Sequence, residues 1–240
     1  MKALFSFEKD LLLHSGRLVV PMLLLVAYIG IAYAIAPLNI LSSFSIGALV
    51  VFVLSLSVGV MSTGLSCPMI EQSIYVKLLR KLPYFFSRAL LMAAIAAAFA
   101  LVSVAGPLLI NFGTGGALFK RPVTAADALS GLVMFSLASY SGGMAGLFTS
   151  PRLIRGRRTS ILLSTAFGML TVVKGVLVSK VGFLAYILWI LPPVHDLTVH
   201  YSAESVLSFD VMWPYFLWML LYAATQTVLY VSLMSRRRFE

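Results

Sequence analysis

Residues Phe44–Ser66 read FSIGALVVFVLSLSVGVMSTGLS, 23 positions without a charge. Wound as a helix, about 20 apolar residues span the ~30 Å hydrocarbon core of a bilayer. Strands of a membrane barrel would instead alternate apolar and polar positions over segments of ~10 residues. No such alternation is present here. Lipid offers the backbone no hydrogen-bond partners, so a spanning segment must satisfy its own amides, as a helix does. The stretch predicts a transmembrane helix.

Comparable runs lie on either side of it, at Leu18–Ala36, Ala89–Ile110, Ala128–Thr149, Ser160–Ser179 and Met212–Met234. Of the 240 residues, 60% are hydrophobic and 11% charged, and the mean hydropathy is +0.99. Soluble domains carry about 25% charged residues, so lipid must be the solvent for most of this chain. The expectation is one all-α membrane domain over residues 1–240 with six transmembrane helices. Met1–Arg17 predicts an amphipathic helix lying in the interface, with Leu4, Phe7, Leu11 and Leu12 near one face and Lys2, Lys9 and Asp10 elsewhere. Glu8 and Asp10 interrupt any signal-peptide pattern, so the first span is expected to remain in the mature protein. The single cysteine, Cys67, excludes an internal disulfide.

Val181–Leu191 is apolar but too short to cross, and Pro192-Pro193 stops it. It reads as a re-entrant outer segment within 181–210, ahead of the last span. Six crossings then place 14 of the 18 basic residues on one side, among them Lys77, Arg80, Lys81, Arg88, Arg155 and Arg236 to Arg238. The positive-inside rule makes that side the cytoplasm, with both termini in it. A seventh crossing would put the terminal arginines outside. The net charge of +10 thus follows the span ends rather than a nucleic-acid surface. Lys174, inside the fifth span, must snorkel or face protein.

No G-x-x-x-x-G-K-[ST] is present, and the glycine-rich Asn111–Gly116 lacks the lysine that would reach a phosphate. The chain is read as binding no cofactor and hydrolysing no ATP. His195-Asp196-x-x-x-His200 with Glu204 offers metal-ligand types, but the spacing is not H-E-x-x-H and no third ligand is fixed nearby. Ordinary polar residues of an outer segment are the preferred reading. No acid falls in the middle of a span, which disfavours an ion-coupled carrier or a membrane enzyme. Gly142-x-x-x-Gly146, with Ser139 and Ser141, forms a small-residue face that suits helix packing within the chain or a dimer interface. Between the second and third spans, Glu71–Lys81 has helical periodicity. Ile74, Leu78 and Leu82 share one face, and Lys77, Arg80 and Lys81 lie around the other side. The pattern predicts an amphipathic cytoplasmic helix over 71–83, ending at Pro83. Either lipid or a partner protein must cover its apolar face.

Taken together, these features resemble the ABC-2 type permeases, the membrane subunits of bacterial ATP-driven exporters. The residues that carry the likeness are the interfacial start through Lys9-Asp10-Leu11-Leu12-Leu13, the acid-led segment Glu71 to Lys81, the following Leu82-Pro83 and Ser87-Arg88, and the outer segment Val181–Pro193. The Lys-Asp-Leu-Leu-Leu start is similar to small permeases that export antimicrobial or cytolytic peptides. The resemblance implies that Glu71, Ile74, Lys77, Leu78, Arg80, Lys81 and Leu82 contact a separate ATPase subunit, which binds ATP and Mg. It also implies a second permease copy or paralogue, a place in the bacterial plasma membrane, and a hydrophobic or amphipathic cargo such as a peptide, an antimicrobial or a lipid-like molecule. An ion-coupled secondary transporter and a membrane enzyme or sensor subunit are the alternatives.

Overall fold

The computed structural model describes residues 2–63, 82–151, 153–154, 156–203 and 209–236. Among them every regular element is helical: α1 (Lys2–His14), α2 (Val19–Ala32), α3 (Ile40–Ser62), α4 (Leu82–Gly113), α5 (Ala125–Phe148), α6 (Arg157–Lys180), α7 (Leu184–Leu188), α8 (Val194–Ala203) and α9 (Phe209–Arg236). Five of these, α3, α4, α5, α6 and Met212–Ser235 of α9, are long and apolar enough to cross a membrane alone. Helices α1 and α2, bent by 68° at the break between them, make a sixth when counted as one span. A multi-pass membrane protein with five or six crossings follows.

The expected first span, Leu18–Ala36, is shorter than its sequence suggested. Helix α2 has 14 residues, about 21 Å at 1.5 Å each. Ala36 precedes Pro37, and a residue in that position is pushed out of the α region, so the helix has unwound before it. The third span is longer than expected. As described, α4 starts at Leu82 and carries Pro83 in its first turn, where proline's missing N–H costs no helical hydrogen bond. Residues 71–81 of the expected cytoplasmic helix lie outside the described residues.

The connections fix which helix ends lie together. Leu38 donates its N–H to the Leu118 carbonyl at 2.9 Å, and Lys120 donates back to the Leu38 carbonyl at 3.0 Å. The edge of one ring of the Tyr33–Phe119 pair meets the face of the other at 6.1 Å between centroids. The loops 33–39 and 114–124 thus share one end of the bundle, here termed the Pro37 end. At the opposite end, Arg17 Nη1 donates to the Met61 carbonyl at 2.6 Å, and the Ser160 hydroxyl donates to the Thr149 carbonyl.

The core is the crossing of α3 and α5. Both present small residues, and small residues let helix backbones approach when lipid supplies no hydrophobic drive. A Cβ on Gly142 would strike the Phe52 carbonyl oxygen, and one on Gly146 the Leu56 carbonyl oxygen. Near the Pro37 end the contact interlocks. Phe135 lies against Gly47, Phe44 lies against Gly131, and the two rings meet at 5.5 Å. The face marked by Gly142 and Gly146 therefore packs within the chain. Helix α5 has 67% of its most apolar window buried, against 22% for α6 and 28% for α9. The last two helices accordingly turn most of their surface toward lipid or a partner.

In the segment 181–210 both the apolar run and the stretch after it reach the bundle, and Leu188 and Leu191 of the run are buried. The apolar run forms only the short α7, and Tyr186, Trp189 and Ile190 around it are exposed. The run beginning at His195, read as a polar outer stretch, instead forms α8. Its Val194, Leu197 and Tyr201 are buried and belong to the same core cluster as α3. Their i, i+3, i+7 spacing makes one helical face, masked in the sequence by His195, Asp196 and His200 between them.

Candidate functional site

Helix α1 meets α4 through a buried ion pair. Glu8 sits on the same face as Leu4 and Leu12, one turn from each, and that face packs against the bundle. Its Oε1 accepts from Arg88 Nε at 3.1 Å, and its Oε2 accepts from the Ser87 hydroxyl at 3.1 Å. The two side chains are 7% and 6% exposed. Arg88 also donates Nη2 to the Tyr84 hydroxyl at 2.7 Å, with its guanidinium 4.9 Å from that ring's centroid. Removing one partner of such a pair leaves an uncompensated buried charge, so α1 and the first turns of α4 are held in one relative position. No local sequence pattern marks this pair. An acid on the apolar face of an amphipathic helix was the available signal, but its partner is 80 residues away.

Of the residues expected to contact an ATPase, Glu71, Ile74, Lys77, Leu78, Arg80 and Lys81 lie outside the described residues. Leu82 is described; it opens α4 and is 50% exposed.

Lys174 faces protein. Its Nζ donates to Asp196 Oδ2 of α8 at 2.6 Å, and the lysine side chain is 10% exposed. The adjoining His195 ring occupies the space that a Cβ on Gly175 would need. Burial pushes the His195 imidazole below its ordinary value, against the upward pull of Asp196, and the Lys174 charge adds to the lowering. His200 stacks on Tyr215 at 4.1 Å between ring centroids. The two histidines are thus committed to different neighbours, and among the described residues no three His, Cys, Asp or Glu side chains gather as metal ligands would.

At the Pro37 end, Arg121 clasps Asp127 with two bonds of 2.8 and 2.7 Å. Thr124 and Asp127 exchange the hydrogen bonds of a capping box at the start of α5. The Tyr201 hydroxyl of α8 meets Ser130 at 2.8 Å. Ser130 spends its own proton on the Asp127 carbonyl, so Tyr201 is the donor. These contacts fix α8 against α5.

Between α3 and α6 a groove of about 1040 Å³ opens from the Arg17 end. Leu56, Ser164 and Gly168 form its buried floor, and Val53, Met61, Ile161 and Met169 its exposed walls. Arg17 and Arg157 stand at its mouth. No local pattern marks it, because it arises from the loose packing of α6 on α3.

No family model, curated protein or solved structure matches the chain.

Proposed function

We propose that the chain is the membrane-spanning permease subunit of an ATP-driven exporter of hydrophobic or amphipathic cargo, powered by separate ATPase subunits. The observation that carries this reading is the Glu8–Arg88 pair. Arg88 follows the charged segment Glu71–Lys81 by seven residues of chain, and it is bound to the interfacial helix. A force applied at that segment would move the start of α4 and α1 together, as a separate motor requires. In this reading the Arg17 end is cytoplasmic, as the positive-inside bias favours, and ATP and Mg belong to the partner. The exposed faces of α6 and α9 suit a second permease copy, since six crossings line half a pathway.

Co-purification from the native membrane tests the reading. An ATP-binding subunit should accompany the chain. Leu78→Asp combined with Arg80→Glu should separate the two or uncouple ATP hydrolysis from export, with the spans still inserted. Normal assembly and export in that variant would place the motor contact elsewhere. The ion-coupled alternative draws on the Lys174–Asp196 pair, an ionic contact between helices. Flux that follows a proton or sodium gradient with no ATPase partner would select it.

A further inference from the structure

We propose that Lys174, His195 and Asp196 form a proton-operated latch, which holds the Lys180 end of α6 against α8 while His195 is neutral and frees it when His195 takes up a proton. The latch rests on the membrane-spanning fold and not on the exporter reading, so the two can fail separately.

Three observations carry the assignment. First, α6, the least buried of the five single spans, is fastened at two points with a hollow between them. Among the described residues, two side-chain hydrogen bonds join it to other elements. Ser160 donates to the Thr149 carbonyl in the first turn of α6, and Lys174 donates to Asp196 of α8. From Ser160 to Lys174 is about 21 Å of helix. Over that length the groove floored by Leu56, Ser164 and Gly168 lies between α6 and α3. Its lining runs to Val172 and Val173, next to Lys174. The second fastening therefore sets how far the groove is closed toward the Pro37 end.

Second, this fastening interlocks two adjacent residues of each helix. Lys174 pairs with Asp196 at 2.6 Å, and its neighbour Gly175 receives the ring of His195, the neighbour of Asp196. A Cβ on Gly175 would coincide with that ring, so the imidazole reaches the backbone of α6 only because the position is a glycine. Contact this close keeps water from that side of the ring.

Third, the charges around the ring balance only while it is neutral. Lys174 of α6 and Asp196 of its own helix are the charges that act on His195. Helix α8 also packs on α3 and α9. Helix α3 carries no ionisable residue. In α9, Tyr215 is stacked on His200, and Tyr222 donates to the Ile190 carbonyl. Asp127 and Arg121, near the start of α5, act on Tyr201 at the far end of α8. A neutral His195 leaves one ammonium facing one carboxylate. A protonated His195 sets two cations against a single carboxylate that Lys174 already holds, in a contact where burial disfavours charge. Separating α6 from α8 returns the imidazolium to water, so proton uptake and release of the helix are linked. The latch is engaged above about pH 6.5, the ordinary histidine value, and is lost as pH falls below it.

The test uses the full chain with Cys67→Ser in nanodiscs, spin-labelled at Val176→Cys of α6 and Val199→Cys of α8, two exposed positions. Paramagnetic resonance at pH 7.5 should give one short distance between the labels. As pH falls to 5.5 a longer distance should appear, and it should vanish on return to pH 7.5. The ratio of long to short should rise by up to about tenfold per pH unit, the limit for one proton. His195→Gln should keep the short distance throughout. His195→Phe should do the same, since it leaves a ring over Gly175 with no proton to gain. Asp196→Asn, which takes the carboxylate from Lys174, should give the long distance already at pH 7.5. Labels at Met61→Cys and Ile161→Cys, beside the other fastening, should not move with pH. An unchanged distance in the parent chain, or a change that survives loss of the histidine, would overturn the latch. So would an equal change between positions 61 and 161, or a short distance retained by Asp196→Asn.

Discussion

Gly59 of α3 and Gly146 of α5 face each other backbone to backbone. A Cβ built on either comes to 2.9 Å from the Cα of the other, nearer than carbon atoms pack. Helix α3 can therefore lie this close to α5 only while both positions lack side chains. Gly146→Ala should destabilise the folded protein by about 1–3 kcal/mol, the usual cost of overpacking. Unfolding in mixed micelles would measure it. Gly182→Ala, where a Cβ meets nothing within 4 Å, should change nothing.

The Glu8–Arg88 pair predicts an asymmetric mutant series. Glu8→Ala should destabilise the folded protein by about 3–5 kcal/mol, because it removes a carboxylate from a buried guanidinium. Glu8→Ala with Arg88→Met should recover part of that loss, since the buried guanidinium is then gone as well. A double-mutant cycle by the same unfolding measurement gives the coupling. Losses that simply add would mean that the pair does not hold α1 to α4.

His195 predicts a loss of stability toward acid. A histidine held below its ordinary value takes up a proton less readily in the folded state than in the unfolded state. Its contribution is thus complete above about pH 6.5 and is lost as pH falls from there toward the depressed value. The thermal midpoint in nanodiscs should drop between pH 7.5 and 5.5, and His195→Gln should flatten that drop. Asp196 and Lys174 face the same ring, so the readout is the difference between the variant and the parent chain.

Orientation is tested by chemistry at the two ends. Ala117 is exposed in the loop of the Pro37 end. In a Cys67→Ser background, Ala117→Cys should react with an impermeant thiol reagent added outside intact cells. Arg155→Cys should react only after the membrane is opened. The reverse pattern would invert the topology.

The spans were legible in the sequence because length and apolarity in a bilayer are properties of a single segment. The amino-terminal helix was legible for the same reason, through the spacing of Leu4, Leu11 and Leu12. Contacts between distant segments were not. Glu8 became intelligible only beside Arg88, and Lys174 only beside Asp196. Helix α8 was obscured because its three buried hydrophobic residues lie among charged and polar ones, and ten residues are too few for the period to stand out. The glycines of α5 announced close packing, yet no local pattern could say whether the neighbour was α3 or another copy. The groove is the least legible feature, since it is made by what α6 leaves unfilled.

The crossing of α3 with α5 also sets an order of events during synthesis. Ser55 and Ser139 meet at 2.6 Å across that crossing, and they are 84 residues apart in the chain. At about 5–20 residues per second, α3 waits on the order of 4–17 s for the partner that covers its small, polar face. Helix α4 is made in the interval and cannot substitute, because the matching glycines belong to α5. Through that wait the Ser55 hydroxyl is not stranded, since it donates to the Val51 carbonyl of its own helix at 2.7 Å. When Ser139 arrives it must therefore bring the proton. The nascent helix is self-sufficient in lipid, and its later neighbour is built to add to it without undoing that bond.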